Sequence, residues 1–254
     1  MNTLTLNTGR ITALGRSELT LLVRNRATLS LALLMPLLMV LVLRSSLGDA
    51  DGAQAVGEAT LTGGIGMVLL LVVHMNLVSS YVARREELVL KRLRTGEASD
   101  VEILAGTALP AAALALAQIA VLAVAGAAVL DVRMPRNPLL IGVAVLAGIL
   151  LLAALSAVTS SVTRTVETAG LTTLPLFLAS ALGSGMFAPA DSLPDAVASV
   201  CELLPLSGVM TLVRAGWGGG AAGGDLLGAG LTTLAWIMIS VFAVQRWFRW
   251  EPRR

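Results

Sequence analysis

Long apolar runs, broken by short charged or glycine- and proline-rich segments, are the main pattern of this chain. They fall at about residues 27–43, 61–82, 103–130, 139–162, 168–187 and 226–245. Each holds roughly 17 residues or more, enough for a helix to cross a ~30 Å hydrocarbon core. Six membrane-spanning helices are therefore predicted. Arg44 ends the first run, and Pro36 within it is tolerable where neighbouring helices restore the lost hydrogen bond. A polar connection with Asp49, Asp51 and Glu58 leads to the second, whose glycines Gly63, Gly64 and Gly66 favour close helix packing. Ala113, Ala117, Ala120 and Ala123 do the same in the third. Asp131, Arg133 and Arg136, with Pro135 and Pro138, form a tight turn before the fourth, and a short connection around Arg164 and Glu167 precedes the fifth.

Two stretches depart from this rhythm. Residues 188–224 mix Pro189, Pro194 and Pro205 with apolar pieces of roughly 10 to 14 residues, too short to span, which reads as a re-entrant or interfacial segment. The glycine cluster from Gly216 to Gly224 then makes a flexible link to the last span. The other departure is the segment 84–100, RREELVLKRLRTGEASD, which carries Arg84, Arg85, Lys91, Arg92 and Arg94 and is too costly to bury in lipid. Set on one helix, it places Val82, Val89, Leu90 and Leu93 on one side and Arg84, Glu87, Lys91 and Arg94 on the other, with Glu87 and Lys91 as an i,i+4 pair. Glu86 interrupts the apolar side, and Leu88 lies beside the polar one. That pattern fits two roles, a docking surface for another protein or a solvated loop touching anionic headgroups.

Composition agrees with the pattern: 56% hydrophobic and 13% charged residues, with a mean hydropathy of +0.84, against roughly 25% charged residues in soluble domains. The fold class is an all-α polytopic membrane protein. Charge orients it, because Lys and Arg favour the cytoplasmic side. With the N-terminus inside, the outer segments hold only Arg44, Arg133, Arg136 and Arg214, and every other Lys and Arg falls inside. Both termini and the insert are thus expected in the cytoplasm of a cell-membrane protein. The expected organisation is an N-terminal segment 1–26, a six-helix transmembrane domain 27–247 and a basic tail 248–254. Ile11, Leu14, Leu21 and Leu22 give the first segment one apolar side suited to an interfacial helix, which Glu18 interrupts. Arg10, Arg16, Arg24 and Arg26 before the first run argue against a secretory signal peptide. Trp247 and Trp250 beside Arg246 and Arg249 suit an interfacial anchor. The small excess of Arg implies no nucleic-acid partner.

Candidate chemistry is sparse. Lone Cys201 and lone His74 are too few for a Cys/His zinc site. His74, near Asn76 in the second span, is either a proton-relay group or a neutral imidazole bonded to a neighbouring helix. Gln118 in the third span reads as a helix–helix hydrogen bond or a substrate contact, and Ser156, Thr159, Ser160 and Ser161 as donors to backbone carbonyls. No nucleophile–base constellation is visible, so no catalytic site is expected.

These features together resemble a family. The insert, in Arg85, Glu86, Glu87, Leu90, Leu93, Thr95 and Gly96, is similar to the coupling region between the second and third spans of the permease subunit of ABC-2 type transporters. That class includes daunorubicin-resistance-like drug exporters. Residues 184–216, with Phe187, Pro189, Leu193, Pro194, Leu204, Pro205 and Arg214, resemble the family's extracellular re-entrant hairpin before its last span. The resemblance implies two permeases, this chain with a second copy or homologue, forming a pathway for an amphiphilic small molecule or lipid. It also implies a cytoplasmic ATPase docked on a coupling helix through Arg85, Glu86, Glu87, Leu88, Leu90, Lys91 and Leu93. ATP and Mg would then belong to that partner and no cofactor to this chain. The residues support one part directly, because no GxxxxGK[ST] phosphate loop is present and Lys91 is the sole lysine. A proton-coupled secondary transporter using His74, or a membrane anchor for a signalling complex, stays open on the residues alone.

Overall fold

A computed structural model of the chain describes residues 53–96, 99–185 and 194–251, with isolated positions before them. Among these residues there are helices and short connections and no strand. In chain order they are α1 (Ala53–Val68), a π-helical segment (Leu69–Met75), α2 (Asn76–Glu86), α3 (Val89–Arg94) and α4 (Asp100–Val129). There follow α5 (Pro138–Val162), α6 (Val166–Gly183), α7 (Asp195–Glu202), α8 (Ser207–Gly218) and α9 (Gly223–Trp247). Five stretches are long and apolar enough to cross a membrane: the run Gln54–Glu86, then α4, α5, α6 and α9. They are the second to sixth predicted spans. The first, 27–43, lies mostly outside the described residues. Its described positions are helical, and Val40 is buried against the core. The possible interfacial helix in 1–26 also lies outside them.

The second span starts earlier than expected, because Gln54 and Glu58 continue the helix instead of forming a connection. The Gln54 side-chain amide donates to the Asp131 carbonyl at 2.6 Å, tying the start of α1 to the α4–α5 turn. Likewise the glycine-rich link is shorter than predicted. Gly216 and Gly218 belong to α8 and Gly223 and Gly224 to α9, leaving only 219–222 between them.

Helix α5 is the hub, packed against the π segment, α2, α8 and α9. Between helices in lipid, close packing replaces the hydrophobic drive of a soluble core. Two glycines show how. A Cβ at Gly208 of α8 would collide with the Ala229 carbonyl and come within 2.6 Å of Thr233 Oγ1 on α9. At Gly148 of α5 it would lie 3.0 Å from Val209 and 3.1 Å from Leu69.

Helices α7 and α8 are the predicted re-entrant hairpin. They bend by 89° about the turn between them. Helix α8 ends at the α4–α5 turn, where the Gly216 and Trp217 carbonyls accept from the Asn137 and Arg136 amides at 2.8 and 3.2 Å. Its other end reaches Gly148, roughly 16 Å along α5 from Asn137 at 1.5 Å per residue, about half a hydrocarbon core. An ion pair decides whether the hairpin crosses: Lys91 Nζ in the insert lies 2.8 Å from Glu251 Oε1 in the tail. Helices α4, α5, α6 and α9 separate these residues, and an even number of crossings returns the tail to the insert's end. A crossing hairpin would put them at opposite ends. It therefore enters and leaves from the far end.

Candidate functional site

The insert grows out of the last turn of α2. There Arg85 turns inward, only 1% exposed. Its guanidinium donates through Nη1 to the Ser160 carbonyl at 2.7 Å and through Nη2 to the Thr163 carbonyl at 2.6 Å. Both acceptors are at the C-terminal end of α5, where carbonyls lack helical partners and the helix dipole favours a cation. One planar fork thus satisfies two carbonyls and clamps the root of the insert to the hub. Next to it, Arg84 reaches Thr107 Oγ1 of α4 at 3.3 Å.

After Glu87 the chain reverses at Leu88, whose φ of 59° lies in the left-handed region. For a residue with a Cβ this costs about 1–2 kcal/mol, and such strain is held only where the surroundings impose it. Here they do. The reversal lets Leu90, the second residue of α3, fold back into full burial, while Leu88 itself stays 41% exposed. The far side of the insert is anchored by a capping box: the Glu102 carboxylate accepts from the Ser99 amide at 2.8 Å, and Ser99 Oγ accepts from the Glu102 amide at 3.3 Å. Arg94 grips Asp100 in the first turn of α4 through Nε at 3.0 Å and Nη2 at 3.3 Å. A strained apolar tip is therefore held between two firmly fixed roots.

This geometry corrects the single-helix reading of the insert. The break at Glu87–Leu88 leaves Glu87 in the turn that caps α2 and Lys91 on α3, so they are not an i,i+4 pair on one helix. Of the expected docking residues, Glu86, Glu87, Leu88 and Lys91 are exposed and Leu93 is partly buried. Arg85 and Leu90 face the interior, where they position the tip and cannot form its surface.

The tail, read as an interfacial anchor, folds back on the insert. Phe248 meets the Tyr81 ring edge-on at a centroid distance of 6.2 Å, and Trp250 meets Phe248 at 4.8 Å. The Arg94 guanidinium lies 4.8 Å over the Trp250 ring. Trp247, by contrast, is 62% exposed and keeps the position of an anchor. Nothing in the sequence pairs the tail with the insert. The capping box, not among the sequence-based expectations, has a local signal in Ser99–Asp100–Val101–Glu102 ahead of an apolar run.

The hairpin residues are at the far end. Pro194 is exposed before α7, Pro205 is buried in the turn, and Arg214 donates to the Ser184 carbonyl at 2.6 Å. Trp236 of α9 holds the turn by donating to the Leu203 carbonyl at 2.8 Å. Phe187 and Pro189 lie outside the described residues. In the second span the fully buried His74 sits on the π segment, its Nδ1 3.0 Å from Ser156 Oγ of α5. π-helical turns occur mostly as single-turn bulges inside α-helices. Asn76 is exposed and accepts from Ser80 Oγ at 3.5 Å, and Gln118 is buried in α4. The insert does not bring these polar residues together, and among the described residues no group of three His, Cys, Asp or Glu could hold a metal.

A family model described as ABC-2 type transporter matches residues 9–217, most of the chain, from ahead of the first apolar run to the end of the hairpin. No curated protein matches it.

Proposed function

This chain belongs to the ABC-2 type transporter family, of which it has the membrane component and not the ATPase, and from that premise we propose that it is the permease subunit of an exporter driven by a separate cytoplasmic ATPase. The ATPase docks on the insert, around the tip at Leu88. The observation that carries this reading is the exposed left-handed Leu88 between Glu86 and Glu87 on one side and Lys91 and Arg92 on the other. A large apolar side chain in a charged rim, on a strained but well-buttressed turn, suits a socket on a partner protein. A loop that only touched headgroups would need neither the clamp at Arg85 nor the buried Leu90. Force applied at the tip would pass through Arg85 into the end of α5, and so to every helix packed on it.

In this reading the insert and both termini are cytoplasmic and the hairpin is external, in line with the distribution of Lys and Arg. ATP and Mg bind the partner. The cargo is an amphiphilic small molecule or lipid, of the kind moved by drug exporters, and its pathway lies between this chain and a second permease. The apolar cleft among Tyr81, Leu104, Leu150, Ala153, Val241 and Val244 has a volume of about 170 Å³, below the roughly 300–1,000 Å³ of pockets for drug-sized ligands. A pathway shared between two permeases accommodates such cargo better. A proton-coupled mechanism through His74 is less well supported, because its Nδ1 is engaged by Ser156 and its Nε2 has no partner among the described residues.

Affinity purification of the chain in mild detergent tests the proposal. A subunit carrying a phosphate-loop ATPase sequence should copurify, and export should require ATP. Transport that continues without any ATPase but collapses with the proton gradient would overturn it.

A further inference from the structure

The tail and the insert together form a cleft of about 720 Å³ lined by Lys91, Arg94, Thr95, Arg249, Trp250 and Glu251. We propose that this cleft is a second part of the ATPase docking surface and receives an acidic element of that subunit. The inference rests on the docking role proposed for the insert and extends it to a segment beyond residue 217, where the family match ends.

Three observations carry it. The tail's position is defined by protein contacts: Phe248 packs on Tyr81, Trp250 on Phe248 and under Arg94, and Glu251 pairs with Lys91. A tryptophan serving only as a lipid anchor would leave its faces to the interface, whereas Trp250 gives one to a guanidinium. The charges are unequal. Lys91 is matched by Glu251 and Arg94 by Asp100, while Arg249 has no carboxylate partner among the described residues. The lining thus keeps a surplus of positive charge, which complements an acidic side chain or loop. The cleft is also open, since the side chains of Lys91 and Glu251 are 53% and 66% exposed. Helix α3, which lines it, begins directly after Leu88, so one partner seated on the tip would meet the cleft as well.

Photo-crosslinking of the full chain in cell membranes separates this inference from the reading beneath it. Benzoylphenylalanine is placed at Leu88 in one variant and at Trp250 in another, where an aromatic group preserves the stacking. Both should yield adducts with the same phosphate-loop ATPase chain, identified by mass spectrometry. Arg249→Glu should lower the Trp250 adduct about tenfold, the scale of losing one strong interface contact, and Arg249→Lys should retain it. An ATPase adduct from Leu88 with only phospholipid adducts from Trp250 would overturn the inference and leave the tip as the docking site. No ATPase adduct from either position would overturn both. An adduct from Trp250 indifferent to Arg249→Glu would overturn the acidic character assigned to the partner.

Discussion

Arg85, in a run of charges that reads as solvent-exposed, donates to the carbonyl of Thr163 at 2.6 Å from a fully buried position. With its bond to Ser160, this makes the guanidinium the joint between the insert and α5. Arg85→Ala removes the donors from two C-terminal carbonyls, and charge-assisted bonds contribute about 1.5–3 kcal/mol each. The expected loss is about 3 kcal/mol in denaturant unfolding of the detergent-solubilised protein. Lys at this position keeps the charge but lacks the planar fork and should recover only part of the loss.

The seat of the hairpin depends on Gly208. Gly208→Ala places a methyl against the Ala229 carbonyl and within 2.6 Å of Thr233 Oγ1, and should destabilise by about 2 kcal/mol through forced separation of α8 and α9. Gly230, elsewhere on α9, has nothing within 4 Å of its would-be Cβ. Gly230→Ala should therefore stabilise by about 0.5–1 kcal/mol. Thermal unfolding of the two variants side by side checks both signs.

The ion pair between Lys91 and Glu251 makes the topology testable. In a Cys201→Ala background, single cysteines at Lys91 and Glu251 should react with a membrane-impermeant maleimide only after the cells are opened. Ala221→Cys, in the exposed link after α8, should react in intact cells. Labelling of Lys91→Cys and Glu251→Cys from opposite sides, with Ala221→Cys on the side of Lys91→Cys, would mean that the hairpin crosses the membrane.

Much of this architecture is legible in the sequence, because a span announces itself by length and hydropathy, and the hairpin by apolar pieces too short to cross. The charged insert stands out for the same reason that it must avoid lipid. What could not be read is set by distant contacts. Arg85 looks like its exposed neighbours until the carbonyls of Ser160 and Thr163 are beside it. No local propensity marks Leu88 for the left-handed region, where burial of Leu90 outweighs the preference of the chain. Trp250 suits a membrane interface by type and is instead held by Arg94. Glu58 reads as part of the polar connection with Asp49 and Asp51, whereas the helix of the second span already includes it.

The docking role of the tip is tested most directly by Leu88→Gly. Glycine accepts a φ of 59° without the left-handed penalty, so the substitution removes the exposed side chain and relieves the strain together. Stability and docking should therefore separate. The account predicts an unfolding free energy within about 1 kcal/mol of the unsubstituted protein, with capture of the ATPase subunit weakened at least about tenfold. Undiminished capture by a stably folded Leu88→Gly variant would contradict it.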